Sequence, residues 1–492
     1  MGYLHKIYAD AANKAGDALA IDGGLGAVSY VDLLDRANRV CRELVKHGVM
    51  PGSRIAISDS TRDIHFFATI LAISALNCSV VPFAGSLSAE ERLRLRALEA
   101  SAVVADMESG LPELHDAVQA RESRAVDSEC YVISTSGSTS RPKDIAITDA
   151  NIASYGQYLA SCGRVGAGDR ISQNFKPQFD AFWEVMLMAA LGRGTMILPA
   201  GRENLLVDGF CGRWGINIWN SVPSHVTIAK RTGHLPGHSL NGVDLAIFGG
   251  EALTPHVLSA WREAAPRCAV INSYGPSEAT IVVAEHKIAV DAPEPYGNVP
   301  IGRVLPHMEY CLIEPEDAPG EQELCIRGPQ LFAGYLDARH NAGRFYTGRA
   351  GTQKVSAKQQ PGPGDWFRTG DIVTESADGL RFVRRIDQQV KVRGQRVDLS
   401  AVQAEICCCP GVSDALVVVL DEAVYAVVEA TRRAAGLDGE VDFSRLREYA
   451  RPRRIVWVES MPRLANGKYD LRAIERLVRE SFSTAPVRSV KS

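Results

Sequence analysis

Short apolar strands alternate with helical patterns through about the first 300 residues, and no other feature limits the fold of this chain as strongly. Residues 30–47 (YVDLLDRANRVCRELVKH) carry apolar side chains at helical spacing, and Gly48 follows as a stop signal. Arg54–Ser58 is predicted to be a strand, residues 64–76 a buried helix, and residues 80–82 the end of another strand. This alternation predicts an α/β architecture whose strands are largely parallel and buried.

The chain is long enough for more than one domain, because 492 residues correspond to about three units of the usual size. Between residues 310 and 336 the pattern becomes more strand-like, so we expect a small barrel-like β region beside the layered parallel sheets and their helices. A smaller α/β segment begins after Lys391. We predict a large N-terminal domain over residues 1–387 and a smaller C-terminal domain over residues 388–492.

Other elements are predicted from local patterns. Residues 349–364 are polar and rich in Gly and Pro, which predicts an exposed loop. In the C-terminal segment, helices are expected at residues 402–406 and 446–450, and strands at residues 415–420 and 455–458.

Composition excludes several classes of protein. With 54 basic and 58 acidic residues the formal charge is −4, so nothing draws the chain to nucleic acid or to an anionic membrane. The longest apolar run, residues 66–76, is well short of the roughly 20 residues that a membrane helix needs. The eleven cysteines are scattered, and no two CxxC pairs occur together. We expect a cytoplasmic protein with reduced thiols and without a nucleic-acid or membrane partner.

The most informative segment is ISTSGSTSRPK, residues 133–143, which follows the apolar strand residues Tyr131 and Val132. Small hydroxyl residues around a glycine expose backbone N–H groups and hydroxyl donors, which suit the oxygens of a polyphosphate. The GxxxxGK[ST] pattern of a Walker loop cannot be aligned with it. Taken alone, the segment is equally compatible with a polar surface loop.

Four further motifs follow in a fixed order: NSYGPSE (residues 272–278), RTGD (368–371), RIDQQVKVRG (385–394) and NGK (466–468). With this ordered set the chain resembles the adenylate-forming superfamily of acyl-CoA synthetases, firefly luciferase and nonribosomal peptide synthetase adenylation domains. The resemblance extends from about Ser29 to Lys468, which is nearly the whole chain.

The resemblance implies ATP and Mg²⁺ as cofactors and assigns roles to individual residues. Hydroxyl and cationic side chains would hold the β- and γ-phosphates, an aromatic ring would stack on adenine against a glycine-rich turn, and carboxylates would bind Mg²⁺ and the ribose. In that order the residues are Ser138, Thr139 and Lys143 for the phosphates, Tyr274 with Gly249, Gly250, Glu251 and Ala252 for adenine, Asn272 and Gly275 from the same motif as Tyr274, Glu278 for Mg²⁺, Asp371 for the ribose hydroxyls, and Arg385 for ribose or phosphate. Thr139 and Glu278 also count among the expected catalytic residues.

Lys468 is expected to contribute most to the rate. When a carboxylate attacks the α-phosphorus of ATP, two negative groups approach each other, and a lysine between them stabilises the developing charge. The resemblance also implies that Asp387 is the hinge about which the small domain swings before a thiol attacks the adenylate.

Asp180 and Glu184 suggest which carboxylic acid is activated. They interrupt the otherwise apolar helical segment FDAFWEVMLMAAL at i, i+4 spacing, which places both carboxylates on one face. A buried carboxylate pair is costly unless cations compensate it. Arginines elsewhere in the protein could compensate it, or the face could be exposed; the third possibility is a substrate with two ammonium groups.

The resemblance favours that third possibility, because Asp180 matches the aspartate that anchors the substrate ammonium in amino-acid adenylation domains. The pocket positions of that family look like its lysine-type code here: Asp180, Ala181, Glu184, Ser221, Ile247, Gly249, Ser273, Ile281, Val282 and Lys468. Lysine is the first choice of substrate, and β-lysine and ornithine remain open.

Three residues depart from the family pattern: Ser140 and Asp144 replace glycines of the phosphate loop, and Arg384 replaces the glycine before Arg385. No carrier-domain serine follows Lys468, so we expect a free-standing enzyme that uses a peptidyl carrier protein in trans. Two alternatives stay open: an acyl-CoA ligase for an acid without an amine, and a catalytically silent nucleotide-binding scaffold.

Overall fold

The computed structural model describes residues 1–60, 62–85, 87–104, 128–135, 143–290, 292, 299–315, 320–347, 353–354, 361–362, 364–386, 389–392, 395–407, 412–430, 443, 446–462 and 471–482. The chain divides into two compact units. The first comprises residues 1–134, 143–369 and 373–382, and the second is built mainly of residues 383–492 with the short segment 370–372.

Several helices of the first unit begin at a polar side chain that accepts free backbone N–H groups of the first turn. Ser29 caps the second helix through the Asp32 N–H, and Asp63 caps the third through the N–H groups of His65 and Phe66. The helices are α1 (Tyr3–Ala15), α2 (Tyr30–Lys46), α3 (Ile64–Ala75), α4 (Ala89–Ala97), α5 (Asp149–Cys162), α6 (Asp180–Gly192), α7 (Val207–Trp214), α8 (Pro223–Arg231) and α9 (Pro255–Ala264).

Two sheets with parallel centres carry this unit. Their strands are β1 (Leu19–Gly23), β2 (Val28–Ser29), β3 (Arg54–Ser58), β4 (Ser79–Phe83), β5 (Ala100–Val104), β6 (Glu129–Thr135), β7 (Lys143–Thr148), β8 (Arg170–Ser172), β9 (Thr195–Leu198), β10 (Ile218–Ser221), β11 (Leu245–Gly249), β12 (Ala269–Tyr274), β13 (Ala284–Ile288) and β14 (Arg303–Val304). One sheet has the order β14-β13-β12-β11-β10-β8-β9-β1-β2 and the other β5-β3-β4-β6-β7. The pairings from β9 through β8, β10 and β11 to β12 are parallel, which confirms the predicted core architecture.

A third sheet occupies the region predicted to be barrel-like. It contains β15 (Glu309–Ile313), β16 (Gln322–Arg327), β17 (Phe345–Thr347), β18 (Gln353–Lys354), β19 (Trp366–Ser376) and β20 (Gly379–Arg385). Its order is β15-β16-β19-β17-β18, with β20 beside β19. The pairings β15–β16, β17–β18 and β17–β19 are antiparallel. The predicted loop at 349–364 lies mostly outside the described residues.

The second unit is a smaller α/β arrangement. Its elements are β21 (Gln389–Val392), β22 (Gln395–Asp398), α10 (Leu399–Cys407), β23 (Val412–Leu420), β24 (Ala423–Ala430), β25 (Arg454–Val458) and α11 (Leu471–Glu480). The strands predicted at 415–420 and 455–458 and the helix at 402–406 are present. The prediction of a helix at residues 446–450 was wrong in its extent, since only a 3₁₀ turn forms there, at Glu448–Ala450. Pro452 follows this turn, and a proline disfavours helical backbone in the residue before it.

The core of the first unit surrounds α6, a helix that is apolar on almost every side. Phe182, Trp183 and Val185 are fully buried, and the Trp183 ring stacks on Tyr131 with centroids 4.5 Å apart. Because of this burial, ionising a carboxyl group on the buried side of α6 costs free energy unless the charge is compensated. In the part of the chain that is described, no helix combines the length and apolarity that crossing a lipid bilayer requires.

Candidate active site

The carboxyl ends of β11 and β12 lie side by side, since these strands are parallel and Gly249 is paired with Ser273. In open α/β sheets, ligands bind at this edge. The turn after β11 carries Gly250, whose φ of 84° favours glycine. Tyr274 ends β12 and is half-buried. The two halves of the predicted adenine site are therefore neighbours in the fold.

Three residues assigned to this site have local structural contacts. The Asn272 side-chain amide donates to the Pro300 carbonyl at 2.8 Å. The Glu251 carboxylate accepts the backbone N–H of Ser224 at 2.8 Å, in the first turn of α8. A Cβ at Gly275 would lie 2.1 Å from the Ile281 carbonyl oxygen, so only glycine fits there. Ala252 is exposed.

Glu278, Tyr335 and Lys143 form a buried cluster in the first unit. The Tyr335 hydroxyl donates to Glu278 Oε1 at 2.7 Å, and Lys143 Nζ lies 5.5 Å from the centre of the Tyr335 ring. Only 1% of Glu278 and 6% of Lys143 is exposed. The cluster presents a hard carboxylate and a cation on one tyrosine, a donor set that fits a magnesium–phosphate pair.

The loop after Glu278 has an unusual backbone. Thr280 and Ile281 have φ values of 55° and 73°, which are unfavourable for residues with a Cβ and most of all for a β-branched one. Gln330, which is fully buried, donates its side-chain amide to the carbonyls of Ala279 (3.1 Å), Thr280 (3.0 Å) and Val282 (2.8 Å). These contacts offset the strain and hold Glu278 in place.

Gln330 and Tyr335 were missed at the sequence level. They belong to the segment GPQLFAGY, residues 328–335, which follows β16 and ends close to β7, where Ile145 bridges to Tyr335. Only the glycines and the aromatic residue of that segment signalled a site, and glycine-rich turns are common.

In the second unit, Arg385 donates to Asp371 Oδ1 at 2.7 Å, and both side chains are buried. The two residues predicted to bind ribose and phosphate thus contact each other. Ser138, Thr139, Ser140, Asp387 and Lys468 lie outside the described residues, and the side chain of Arg384 does too.

Glu184 is 2% exposed and lies one helical turn after Asp180 on α6. Its carboxylate accepts the Tyr155 hydroxyl at 2.6 Å and the Asn220 side-chain amide at 3.2 Å. Burial raises the pKa of Glu184 above its usual value of 4.5, although these hydrogen bonds and the charge of Arg164 act in the opposite direction. Among the described residues, no lysine or arginine forms an ion pair with Glu184.

The nearby arginine is already engaged. Arg164 Nη1 donates to Glu285 Oε1 at 2.8 Å, its Nη2 contacts the other oxygen, and Tyr158 donates to the same carboxylate at 2.9 Å. Both Arg164 and Glu285 are almost fully buried. Arg164 therefore acts on Glu184 only at a distance, through its charge, and no arginine among the described residues forms the direct ion pair with Glu184 that the sequence left open.

Asp180 is half-buried, and its Oδ1 accepts the Ala181 N–H at 2.9 Å. Two residues contribute buried polar atoms that have no hydrogen-bond partner among the described residues: Tyr131, whose hydroxyl is affected by the charge of Asp180, and Gln178, two positions before Asp180, through both of its side-chain polar atoms. Buried polar groups are nearly always paired in folded proteins. Burial and the negative charge of Asp180 raise the pKa of Tyr131.

Of the other predicted pocket residues, Ala181 lies on α6, and the rest of the described ones lie on β10, β11, β12 and the loop after Glu278. Ser221 accepts the Trp219 indole N–H at 2.8 Å, and the Ser273 hydroxyl is a further buried group without a described partner. Ile247, Ile281 and Val282 are buried, and Gly249 and Ala181 are half-buried. Sequence reasoning missed Tyr155 and Asn220, because nothing in their local pattern indicates that they meet at Glu184.

The family model of AMP-binding enzymes matches residues 8–336, so the chain belongs to that family. The adenylation-domain type of nonribosomal peptide synthetases, predicted from the motifs, is confirmed. One relative is surfactin synthase subunit 2 of Bacillus subtilis (strain 168), 27% identical over 94% of this chain. The chain spans only 13% of that relative's length.

Solved structures show the same fold. The adenylation domain AlmE of Vibrio cholerae, in complex with glycyl-adenosine-5'-phosphate, superposes with a TM-score of 0.80 at 22% identity, over 98% of each chain. Holo-PA1221, an NRPS protein containing adenylation and PCP domains, has a TM-score of 0.77 at 23% identity, over 96% of this chain and 84% of that one. Enzymes of this family use ATP with Mg²⁺.

Proposed function

We propose that this chain activates a diamino acid as its aminoacyl-AMP, with release of pyrophosphate, and passes it to the phosphopantetheine thiol of a carrier protein. Lysine is the first candidate, followed by β-lysine and ornithine. A cytoplasmic location belongs to the same proposal, since the described cysteines are free thiols, as in a reducing compartment.

The observation that carries the choice of substrate is Glu184. A carboxylate with 2% exposure that receives only neutral hydrogen bonds from described residues is costly to ionise. An ammonium group at the end of the substrate side chain would supply the missing charge. Asp180, one turn away, would hold the α-ammonium, and Tyr131 and Gln178 offer further polar atoms for the backbone of an amino acid.

The chemistry proposed for the first half-reaction is electrostatic. A carboxylate oxygen of the amino acid attacks the α-phosphorus of ATP, the new O–P bond forms, and the bond to pyrophosphate breaks. Lys143 would hold the terminal phosphates, Glu278 would hold Mg²⁺, which when bound neutralises phosphate charge, and Lys468 would stabilise the charge at the reacting centre.

In the second half-reaction the carrier thiol loses its proton and attacks the acyl carbon, and AMP leaves. A carrier protein is supported by the relatives, one of which contains both adenylation and PCP domains.

Pyrophosphate exchange over a panel of acids tests the proposal. Lysine, β-lysine and ornithine should stimulate exchange strongly, and norleucine, which has the length of lysine without its distal ammonium, should do so only weakly. Lys468→Ala should abolish exchange in a protein that remains folded. Stimulation by fatty or aryl acids and coenzyme A would instead establish the acyl-CoA ligase, and wild-type exchange in Lys468→Ala would contradict the catalytic assignment.

A further inference from the structure

Asp144 stands where related phosphate loops usually have glycine, directly after the phosphate-binding residue Lys143. In the fold its Oδ1 accepts hydrogen bonds from Arg94 Nε at 2.9 Å and from the Ser134 hydroxyl at 2.6 Å, and Arg94 Nη2 lies 2.8 Å from the same oxygen in an ion pair. Arg94 comes from α4, 50 residues earlier in the chain. The side chains of Arg94 and Asp144 are 14% and 17% exposed, so solvent screens this pair only in part.

Arg94 serves a second carboxylate, since its Nη1 lies 2.5 Å from Glu91 Oε1. One guanidinium therefore holds two acids. Successive side chains of a strand point to opposite faces, so Lys143 and Asp144 diverge at the start of β7. Both charges nevertheless act on one neighbour: burial lowers the pKa of His340, Lys143 lowers it further, and Asp144 raises it.

The backbone of Asp144 is also fixed. Its carbonyl accepts the Leu336 N–H at 3.0 Å, and Ile145 bridges to Tyr335. Tyr335 is the residue over whose ring Lys143 Nζ lies. The same short segment thus contacts Lys143 through the Tyr335 ring and the backbone of Asp144 through the Leu336 N–H.

We propose that Arg94 is a positioning residue for ATP. The Arg94 guanidinium binds the Asp144 carboxylate, and this keeps the negative charge of Asp144 from opposing the β- and γ-phosphates at Lys143. This inference rests on the proposed adenylation function. Asp144 is tolerated beside the phosphates because Arg94 neutralises it.

The test compares ATP with AMP, which lacks the phosphates assigned to Lys143. Dissociation constants for both nucleotides are measured by calorimetry, without an amino acid, for the wild type, Arg94→Gln, Asp144→Asn and the double variant. Arg94→Gln should weaken ATP binding by about ten-fold, because it leaves a partly buried carboxylate uncompensated, and should leave AMP binding unchanged. The double variant should recover wild-type ATP affinity, and Asp144→Asn alone should not weaken it.

Glu91→Gln is the matched control, since it removes the other carboxylate held by Arg94 and should leave ATP affinity unchanged. Arg94→Lys, which retains the charge but cannot contact the carboxylate through two nitrogens, serves if Arg94→Gln does not fold, and it should weaken ATP binding by less than about ten-fold and leave AMP binding unchanged. Equal losses for ATP and AMP, or no recovery in the double variant, would overturn the proposal. Nucleotide binding without amino-acid activation in the wild type would refute the proposed function and leave the Arg94 result readable, whereas a wild type that binds neither nucleotide would refute both.

Discussion

Glu184→Gln removes one negative charge from a buried position and changes almost nothing in the shape of the side chain. The Tyr155 hydroxyl can still donate to the remaining carbonyl oxygen. The Asn220 amide, now 3.2 Å from an amide group, must turn over to avoid placing two donors face to face. The protein should therefore fold, and the change should be felt by a cationic substrate.

The size of the effect follows from the burial of the pair. An ammonium and a carboxylate about 4 Å apart attract each other by about 4 kcal/mol at an effective dielectric constant of about 20. Ionising the buried carboxyl consumes part of that energy, because burial raises the pKa of Glu184. A net loss of about 2–4 kcal/mol corresponds to about 30- to 1,000-fold in kcat/KM for lysine.

Pyrophosphate exchange with lysine and with norleucine separates this effect from a general loss of activity. In Glu184→Gln the value of kcat/KM should fall for lysine, rise or hold for norleucine, and leave the KM for ATP unchanged, since the phosphate-binding residues are untouched. Equal losses with both amino acids, or an unchanged value for lysine, would show that Glu184 stabilises the fold and does not select the substrate.

Three further outcomes are expected. Because burial raises the pKa of Glu184 above 4.5, its contribution to stability is fully present below that value and is lost as pH rises through the folded pKa. The Tm of the wild type should therefore fall relative to that of Glu184→Gln between acid and neutral pH, and parallel Tm curves would contradict this. Tyr155, Arg164 and Glu285 are the charged or titratable neighbours of Glu184. Gln330→Glu should lower the free energy of unfolding in urea by on the order of 3 kcal/mol, because a carboxylate would face three carbonyl oxygens. An unchanged urea midpoint would show that the conformation of the loop after Glu278 does not depend on Gln330. Cys311 should be alkylated by iodoacetamide faster than Cys41 at neutral pH, because a hydrogen bond from Cys325 lowers the pKa of Cys311 and burial raises the pKa of Cys41. Cys325→Ala should slow the alkylation of Cys311. An equal rate for Cys311 in the wild type and in Cys325→Ala would rule this out.

Much of the fold could be predicted because the relevant signals are local. The helix at residues 30–47 has its apolar spacing, its Ser29 cap and its Gly48 stop within one segment, and α2 begins and ends within a residue of that prediction. Arg54–Ser58 has an apolar centre, with the β-branched Ile55 and Ile57 on either side of Ala56, and it forms the buried strand β3. The order of the short motifs likewise identified the family, because each motif is a contiguous stretch of chain.

The tertiary structure decided what contacts each charged side chain makes, since those partners come from distant parts of the chain. Glu184 meets Tyr155 and Asn220, which lie 29 and 36 residues away, and Asp144 meets Arg94, 50 residues away. Gln330 reaches a loop about 50 residues earlier. Free energies of buried charges depend on the nearest few ångströms of surroundings, and a linear pattern carries no information about which distant groups fill that space.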